Sequence, residues 1–273
     1  MSDTKKIFTT FPIRLALVNA DPMITADATT LAGQFSPLAA AVNAASRERI
    51  GTALGAIQLP VSVLGAGDPI ALVAAVADFL AAADQLDIDY GADANLPIED
   101  ADDAVDEALR CASELEAWLD RLDLPAYHPV LAAVVLGTGL WAMRHGLTIY
   151  RPEPIVNALA NRANDAGSKP ETAAAFAMMQ GFISHLAPTL AADLERSNPE
   201  RAWRLLNLNF AITAIRTGDA DLMRYAFTVF NSHLPDERAG FYEEAHTIAI
   251  QPGFPPEPRA LIEAEFSKWS RRH

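Results

Sequence analysis

The pattern closest to metal chemistry is a Glu-x-x-His pair near the carboxyl end of the sequence. Glu243 and His246 are three residues apart, which places both side chains on one face of a helix, as in di-iron helical bundles. Such a site needs a second Glu-x-x-His, which the sequence lacks, so Glu153, Glu171 or His185 would have to contribute in an irregular arrangement. Two interpretations stay open: a metal site that includes His185, Glu243 and His246, or a surface acid beside a half-buried histidine.

A glycine turn precedes the first clearly signalled helix. Gly65 and Gly67 follow a short apolar run, an order typical of dinucleotide sites because glycines let the backbone approach a pyrophosphate at a helix N-terminus. Asp84 and Asp87 lie about where a ribose-binding acid is expected. However, Ile70 replaces the third glycine, and no alternating strands follow to build a parallel sheet. These departures disfavour a nucleotide site.

A series of oxygen-bearing side chains follows that helix. Asp87, Asp89, Asp93, Asn95 and Glu99 fall on alternating positions, which could surround a calcium ion. An EF-hand loop needs glycine at its sixth position and glutamate at its twelfth, whereas here they stand fifth and thirteenth. A solvated acidic loop is the favoured interpretation, with calcium binding as the alternative.

The other residues that could do chemistry favour structural roles. Cys111 is the only cysteine, which excludes an intramolecular disulfide and a cysteine-built zinc site, and its helical context predicts a buried apolar side chain. His145 and His233 are expected in last helical turns, where a cation offsets the helix dipole. No Gly-x-Ser-x-Gly, Walker or His-Glu-x-x-His sequence is present. We therefore nominate no catalytic residue and no cofactor.

Negative charge is concentrated in one segment. The 273 residues carry a net charge of −14, and residues 84–123, with fourteen acids and two bases, supply all but −2 of it. A field of this sign repels phosphates and disfavours direct nucleic-acid binding, but it attracts a basic protein; a weaker alternative is that the segment mimics nucleic acid. The candidate contacts to a basic partner are Asp100, Asp102, Asp103 and Asp106.

Helix signals cover most of the chain after residue 67. Alanine accounts for 52 of the 273 residues, which favours closely packed helices, and Asp68 and Pro69 suit an N-cap and a first helical position. We predict an all-α fold of stacked antiparallel helical hairpins, of which a repeat or solenoid is one form. Residues 1–67 are expected to be an irregular N-terminal segment and residues 68–273 a helical domain. The predicted helices span 36–57, 68–86, 99–122, 128–146, 152–166, 170–187, 199–217, 219–233, 236–250 and 257–271.

Residues 204–237 resemble one tetratricopeptide unit. Their length of 34 residues is the period of that repeat, and the segment covers about an eighth of the chain. Ala214 replaces the usual aromatic residue, Met223 replaces the usual alanine, and no second unit follows in the same register. The resemblance implies a helical scaffold whose concave surface binds a partner. The matching positions are Phe210, Ala211, Gly218, Asp219, Phe227 and Pro235.

Polar residues on the first helix of that unit are candidate partner contacts. Asn207 lies within an otherwise apolar helix, and Arg204 and Arg216 flank it. In helical-repeat proteins such positions hold a partner peptide, whereas a hydrogen bond between helices is the alternative interpretation. We therefore take Arg204, Asn207 and Arg216 as candidates for a binding groove.

The sequence also gives weak targeting signals. An apolar run that ends at Ala20 is interrupted by Pro12 and Arg14, which does not fit a signal peptide. Residues 129–143 are too few to cross a membrane, which takes about 20 residues, so we expect a cytoplasmic protein without a membrane partner. The leading hypothesis is a scaffold or adaptor for a basic protein partner. The alternative is an enzyme or a metal- or small-molecule-binding helical bundle, and alanine-rich faces leave a homodimer open.

Overall fold

A computed structural model of the chain describes residues 24–55, 67–96, 100–190 and 202–270. In this described part the chain forms ten α-helices, one 3₁₀ turn at Pro125–Tyr127 and no β-strand. The predicted all-α class is confirmed, while a repeat or solenoid organisation stays a prediction. The helices are α1 (Ala28–Gly55), α2 (Pro69–Tyr90), α3 (Ala101–Arg121), α4 (His128–Arg144), α5 (Glu153–Asp165), α6 (Lys169–Leu190), α7 (Ala202–Thr217), α8 (Ala220–His233), α9 (Arg238–Ala249) and α10 (Pro256–Trp269).

The described residues form two compact units, which divide between Ala158 and Leu159. This division differs from the boundary that we expected after residue 67. The reason is that α1 packs on α2 and α4 through Leu31, Phe35 and Leu38, which are buried, so α1 belongs to the same core as the helices after it. The segments 1–23 and 56–66, to which most of the predicted irregular region belongs, lie outside the described residues.

Helix α1 begins eight residues earlier than predicted. The carboxylate of Asp27 accepts the backbone N–H of Thr30 at 2.8 Å, which satisfies a free donor in the first turn and starts the helix at Ala28. Pro37, which we had placed near the start, therefore lies inside the helix, where its side chain is exposed. The interior proline removes one helical hydrogen bond, and packing of the apolar face on α2 and α4 compensates for the loss.

The N-terminal unit is built from antiparallel neighbours that cross closely. Thr29 at the start of α1 donates a hydrogen bond to Asp84 near the end of α2, and Trp118 near the end of α3 donates to the carbonyl of Gly67 before α2 at 2.9 Å. Gly137 lies where α4 meets α1. A Cβ atom there would collide with the side chain of Leu31 and lie 2.5 Å from the carbonyl oxygen of Thr25, so the contact requires glycine.

The C-terminal unit contains the hairpin predicted from residues 204–237. Gly218 adopts φ = +67°, a conformation suited to glycine, and Asp219 then caps α8 by accepting the backbone N–H groups of Asp221 and Leu222. Phe210 stacks on Phe176 of α6 with ring centroids 4.4 Å apart. An aromatic cluster joins α8 to α9 and consists of Phe227, Phe230, Phe241 and Tyr242.

Two described helical segments, Pro69–Tyr90 and Pro125–Arg144, are long and apolar enough to cross a membrane by length and composition alone. The second is longer than we expected because the 3₁₀ turn at Pro125 precedes α4. More than half of its most apolar stretch is buried inside the unit, as in the core helix of a soluble protein. The cytoplasmic location therefore stays a prediction.

Candidate functional site

Two of the four candidate acids at α3 point into the N-terminal unit. Asp102 accepts the backbone N–H of Thr148 at 2.9 Å. Asp106 accepts the N–H groups of Tyr150 and Arg151, both at 3.1 Å, and is 7% exposed. These bonds satisfy backbone donors in the irregular segment between α4 and α5. We therefore correct the expectation that Asp106 contacts a partner, because its carboxylate is buried and occupied by the chain itself.

Burial also changes the acidity of Asp106. Loss of solvation raises the pKa of its carboxyl above the ordinary value of 3.8, and the negative charge of Asp103 adds to the rise. The N–H groups of Tyr150 and Arg151 lower the pKa by less than burial raises it. Asp106 is therefore a structural acceptor whose ionisation costs stability.

The other two candidate acids are exposed. The side chains of Asp100 and Asp103 lie on the surface, and neither makes a hydrogen bond or an ion pair with any residue that the structure describes. Asp100 adopts φ = 70° and gives its helix no side-chain cap. We call Asp100 and Asp103 the exposed pair. The structure thus separates the four predicted acids into two that bind backbone N–H groups and two that are exposed.

An arginine neutralises part of the outer face of α3. Arg110 donates to both carboxylate oxygens of Glu107, at 2.6 and 2.8 Å, and also pairs with Glu114. The carboxylate of Glu107 holds the pKa of the guanidinium high, and the guanidinium in turn lowers the pKa of Glu107. The outer face of α3 is therefore less negative than its acid count suggests, and unpaired charge lies at its start.

Cys111, predicted to be buried, is 2% exposed, and burial raises the pKa of its thiol to about 11.

Arg204 is engaged within the C-terminal unit. Its Nε and Nη2 atoms donate to the two carboxylate oxygens of Glu237 at 2.7 and 2.9 Å, the paired geometry in which arginine binds carboxylates most strongly. This bond lowers the pKa of Glu237. Arg204 lies in the first turn of α7, and Glu237 follows the end of α8. The ion pair therefore joins the two helices at the end of the hairpin opposite its turn.

Asn207 is fully buried between the two helices of the hairpin. Its Nδ2 donates to the carbonyl of Trp203 at 2.9 Å, so its Oδ1 is an acceptor for Nδ1 of His233, also at 2.9 Å. Burial lowers the pKa of His233, which favours the neutral ring. The hydrogen bond between helices, left open as an alternative above, is present. We correct the expectation of a groove contact at Asn207, because no partner can reach it.

Arg216 is exposed but bound to its own unit. Its Nη1 donates to the carbonyl of Ala163, near the end of α5, at 2.5 Å, which satisfies an acceptor in the last turn of that helix. Arg204, Asn207 and Arg216 therefore occupy three separate structural contacts rather than one groove.

The candidate metal ligands do not form a metal centre. Among the described residues, no group of three or more histidine, cysteine, aspartate or glutamate side chains is arranged to hold an ion. His246 stacks on Phe266 with ring centroids 4.3 Å apart, Glu243 is exposed, and His185 is half-buried on α6. Of the two interpretations left open for His185, Glu243 and His246, the described residues favour a surface acid beside a half-buried histidine, because the ring of His246 packs on an aromatic side chain.

The two candidate ligand loops are also occupied by the chain. Asp68 caps α2 by accepting the N–H of Ile70, and Glu114 accepts the N–H of Gly67 at 3.2 Å. Two carboxylates therefore lie where a pyrophosphate would bind, and they repel it; the glycine turn itself lies outside the described residues, apart from Gly67. In the acidic series, Glu99 also lies outside the described residues, and both carboxylate oxygens of Asp87 are used as described next.

Asp87 is the centre of a polar cluster that sequence reasoning missed. Its Oδ1 accepts the indole N–H of Trp141 at 3.0 Å and faces Nε2 of His145 at 2.7 Å, and its Oδ2 accepts Nη2 of Arg144 at 2.6 Å. The ring of His145 is fully buried, and 13% of the Asp87 side chain is exposed. Trp141, Arg144 and His145 are three and four residues apart, and this spacing places all three on one face of α4. The spacing is the feature of the sequence that could have indicated the cluster.

No family model, curated protein sequence or solved structure shows significant similarity to this chain.

Proposed function

We propose that this chain is a non-enzymatic scaffold or adaptor, and that the exposed pair at the start of α3 contacts a basic surface on its protein partner. The observation that carries the proposal is the division of acids at α3. Asp102 and Asp106 bind backbone donors, whereas Asp100 and Asp103 are exposed without a cationic partner in the described part of the chain.

The backbone at Asp100 gives further support. A left-handed conformation costs roughly 1 kcal/mol for a residue with a Cβ, although aspartate tolerates it better than most. The Asp100 side chain does not cap α3 and makes no hydrogen bond to the described residues that would offset this cost. Strained residues without a local compensating contact are typical of positions that serve recognition.

The net charge extends this effect beyond contact distance. A chain of charge −14 attracts a basic partner over about 10 Å at moderate ionic strength, and salt screens this attraction. Complementary charge of this kind increases association rates more than it increases final affinity. Binding is therefore expected to weaken as salt is raised.

The test compares two variants that remove the same charge at different places. D100N/D103N neutralises the exposed pair, and E244Q/E263Q neutralises two exposed acids of the C-terminal unit. Each full-length tagged protein is used to capture partners from its host extract at low and high salt, with quantitative mass spectrometry. We expect a basic partner that wild type and E244Q/E263Q retain equally and that D100N/D103N retains about three- to tenfold less well.

Equal capture by both variants, or capture that salt does not weaken, would contradict the proposal. Native mass spectrometry of the protein gently purified from its host gives a second check. A stoichiometric metal or small-molecule mass increment would replace the scaffold proposal with the enzymatic or ligand-binding alternative. A second polypeptide that dissociates with salt supports the scaffold.

A further inference from the structure

The ring of His145 lies between two hydrogen-bond acceptors. Nδ1 is 2.7 Å from the carbonyl oxygen of Ala94, and Nε2 is 2.7 Å from Oδ1 of Asp87. A carbonyl oxygen has no proton to give. Both carboxylate oxygens of Asp87 already act as acceptors, Oδ1 for the indole N–H of Trp141 and Oδ2 for Arg144. Both nitrogens of the ring must therefore donate.

This geometry requires the doubly protonated ring. A neutral imidazole has one N–H, so one of its two nitrogens would direct a lone pair at an acceptor. The choice that leaves Nε2 without a proton places that lone pair against a carboxylate. The less costly choice leaves Nδ1 unprotonated and breaks the bond to Ala94. Loss of one ring proton therefore removes the hydrogen bond from Nδ1 of His145 to the carbonyl oxygen of Ala94.

The Ala94 contact holds the segment Gly91–Leu96, which we call the docked loop, on the end of α4. The N–H of Leu96 approaches the carbonyl of His145 at 3.4 Å, and Leu96 is buried. Gly146 adopts φ = +71°, and a Cβ there would lie 2.8 Å from Oδ1 of Asn95, so the loop passes directly over the turn after α4. His145 makes the shortest of these polar contacts.

The charges around the ring come from several elements. Asp87 of α2 and Arg144 of α4 contact the cluster, and Asp27 before α1 interacts with the charge of Arg144. The docked loop carries Asp93. The nearby acids of α3, Asp102 and Asp106, are engaged with the backbone at residues 148–151. The one carboxylate of Asp87 thus contacts both the guanidinium of Arg144 and the ring of His145.

We propose that His145 is a proton-dependent latch: the doubly protonated ring bridges Asp87 and Ala94 and docks residues 91–96, and loss of one ring proton weakens this docking. The ring proton moves to solvent base, and no covalent bond changes. The contacts of Leu96 and Asn95 at the end of α4 remain, as does the interaction that Asp93 makes, so the docked loop is held less tightly.

Two measurements on the full chain test the latch. Nitrogen chemical shifts of ¹⁵N-labelled histidine report whether each ring nitrogen carries a proton across a pH series. Hydrogen exchange, corrected for the intrinsic base-catalysed rate, reports the protection of residues 91–96. We expect both ring nitrogens of His145 to be protonated while the loop is protected, and protection to fall at least about tenfold as the second proton leaves, since a hydrogen bond from a charged donor is lost.

A matched variant separates the latch from general effects of histidine. H145Q has one donor group for two acceptors and is expected to show the low protection at every pH. H128Q removes the ring of the more exposed His128–Asp120 pair and is expected to behave as wild type. Protection of the loop while His145 is singly protonated would overturn the proposal, and this observation needs only the wild-type protein. Corrected exchange that does not vary with pH would also overturn it.

Discussion

The two units use their buried and half-buried polar side chains for different purposes. In the N-terminal unit, Asp102, Asp106 and His145 bind backbone groups of irregular segments. In the C-terminal unit, Arg204 and Asn207 bond to side chains at the end of the neighbouring helix. The first kind of bond fixes loops on helices, and the second fixes the pairing of helices.

This difference explains where charge is available for recognition. Each acid that binds backbone is removed from the surface, whereas acids next to it in sequence stay exposed. A high acid count in a helix therefore does not define a binding surface until the inward-facing acids have been subtracted. The α3 region shows this directly, because Asp102 and Asp103 are adjacent in sequence and differ in their role.

Removal of the Asp87 carboxylate is expected to cause the largest loss of stability. D87A leaves the guanidinium of Arg144 without its counter-charge and the ring nitrogens of Trp141 and His145 without the carboxylate that they contact, so we expect a loss of about 3–5 kcal/mol in the free energy of unfolding. D84A on the same helix removes an acid bonded to Thr29 at the surface and is expected to cost less than about 1 kcal/mol. Urea denaturation measures both losses. Equal losses would show that the cluster around Asp87 contributes no more to stability than a surface hydrogen bond does.

Asp106 tests the backbone-binding role in the same unit. D106A leaves two N–H groups unpaired and is expected to cost about 2 kcal/mol, whereas D106N keeps an acceptor oxygen and is expected to be as stable as wild type or more so. The pKa of Asp106 is raised in the folded protein, so folding favours the protonated carboxyl. The wild-type protein therefore loses the stability that this protonated form contributes as the pH rises from the ordinary pKa of 3.8 through the raised pKa.

The advantage of D106N over wild type should therefore be absent at the acid end of that range and reach its full size above it. Thermal unfolding across a pH series measures this difference. An advantage that grows toward acid pH would contradict the assignment.

Asn207 tests the helix-pairing role in the C-terminal unit, with a smaller expected effect. N207A leaves Nδ1 of His233 without its acceptor and is expected to cost about 1–2 kcal/mol. N209A changes an asparagine two positions along the same helix whose side chain has no partner among the described residues, and about 0.5 kcal/mol or less is expected. Denaturation curves for the two variants should differ, and coincident curves would refute the role of Asn207.

Most helices could be predicted from local signals. Asp68 with Pro69, and Asp219 with Gly218, combine a capping aspartate with a proline or a glycine, and α2 and α8 begin where these signals indicate. Helix α1 was predicted to begin at residue 36 because Asp27, which supplies the cap, was not recognised as a helix start. The division after Ala158 falls within α5, and no local signal marks it.

The candidate site could be predicted only in part. The segment 84–123 does contain the exposed pair, since charge is visible in a sequence. The inward role of Asp106 could not be predicted, because its donors lie more than forty residues away and are backbone groups with no side-chain signature. His145 and Asp87 were each recognised separately, yet their contact depends on tertiary packing across 58 positions.

The proposed function rests on the exposed pair, and the affinity of the captured partner at several salt concentrations tests it most directly. Purified wild type, D100N/D103N and E244Q/E263Q are titrated with that partner by calorimetry. We expect wild type and E244Q/E263Q to share one affinity and one salt dependence, and D100N/D103N to bind more weakly with a shallower dependence. If all three proteins bind alike at every salt concentration, the exposed pair is not the contact and the account is wrong.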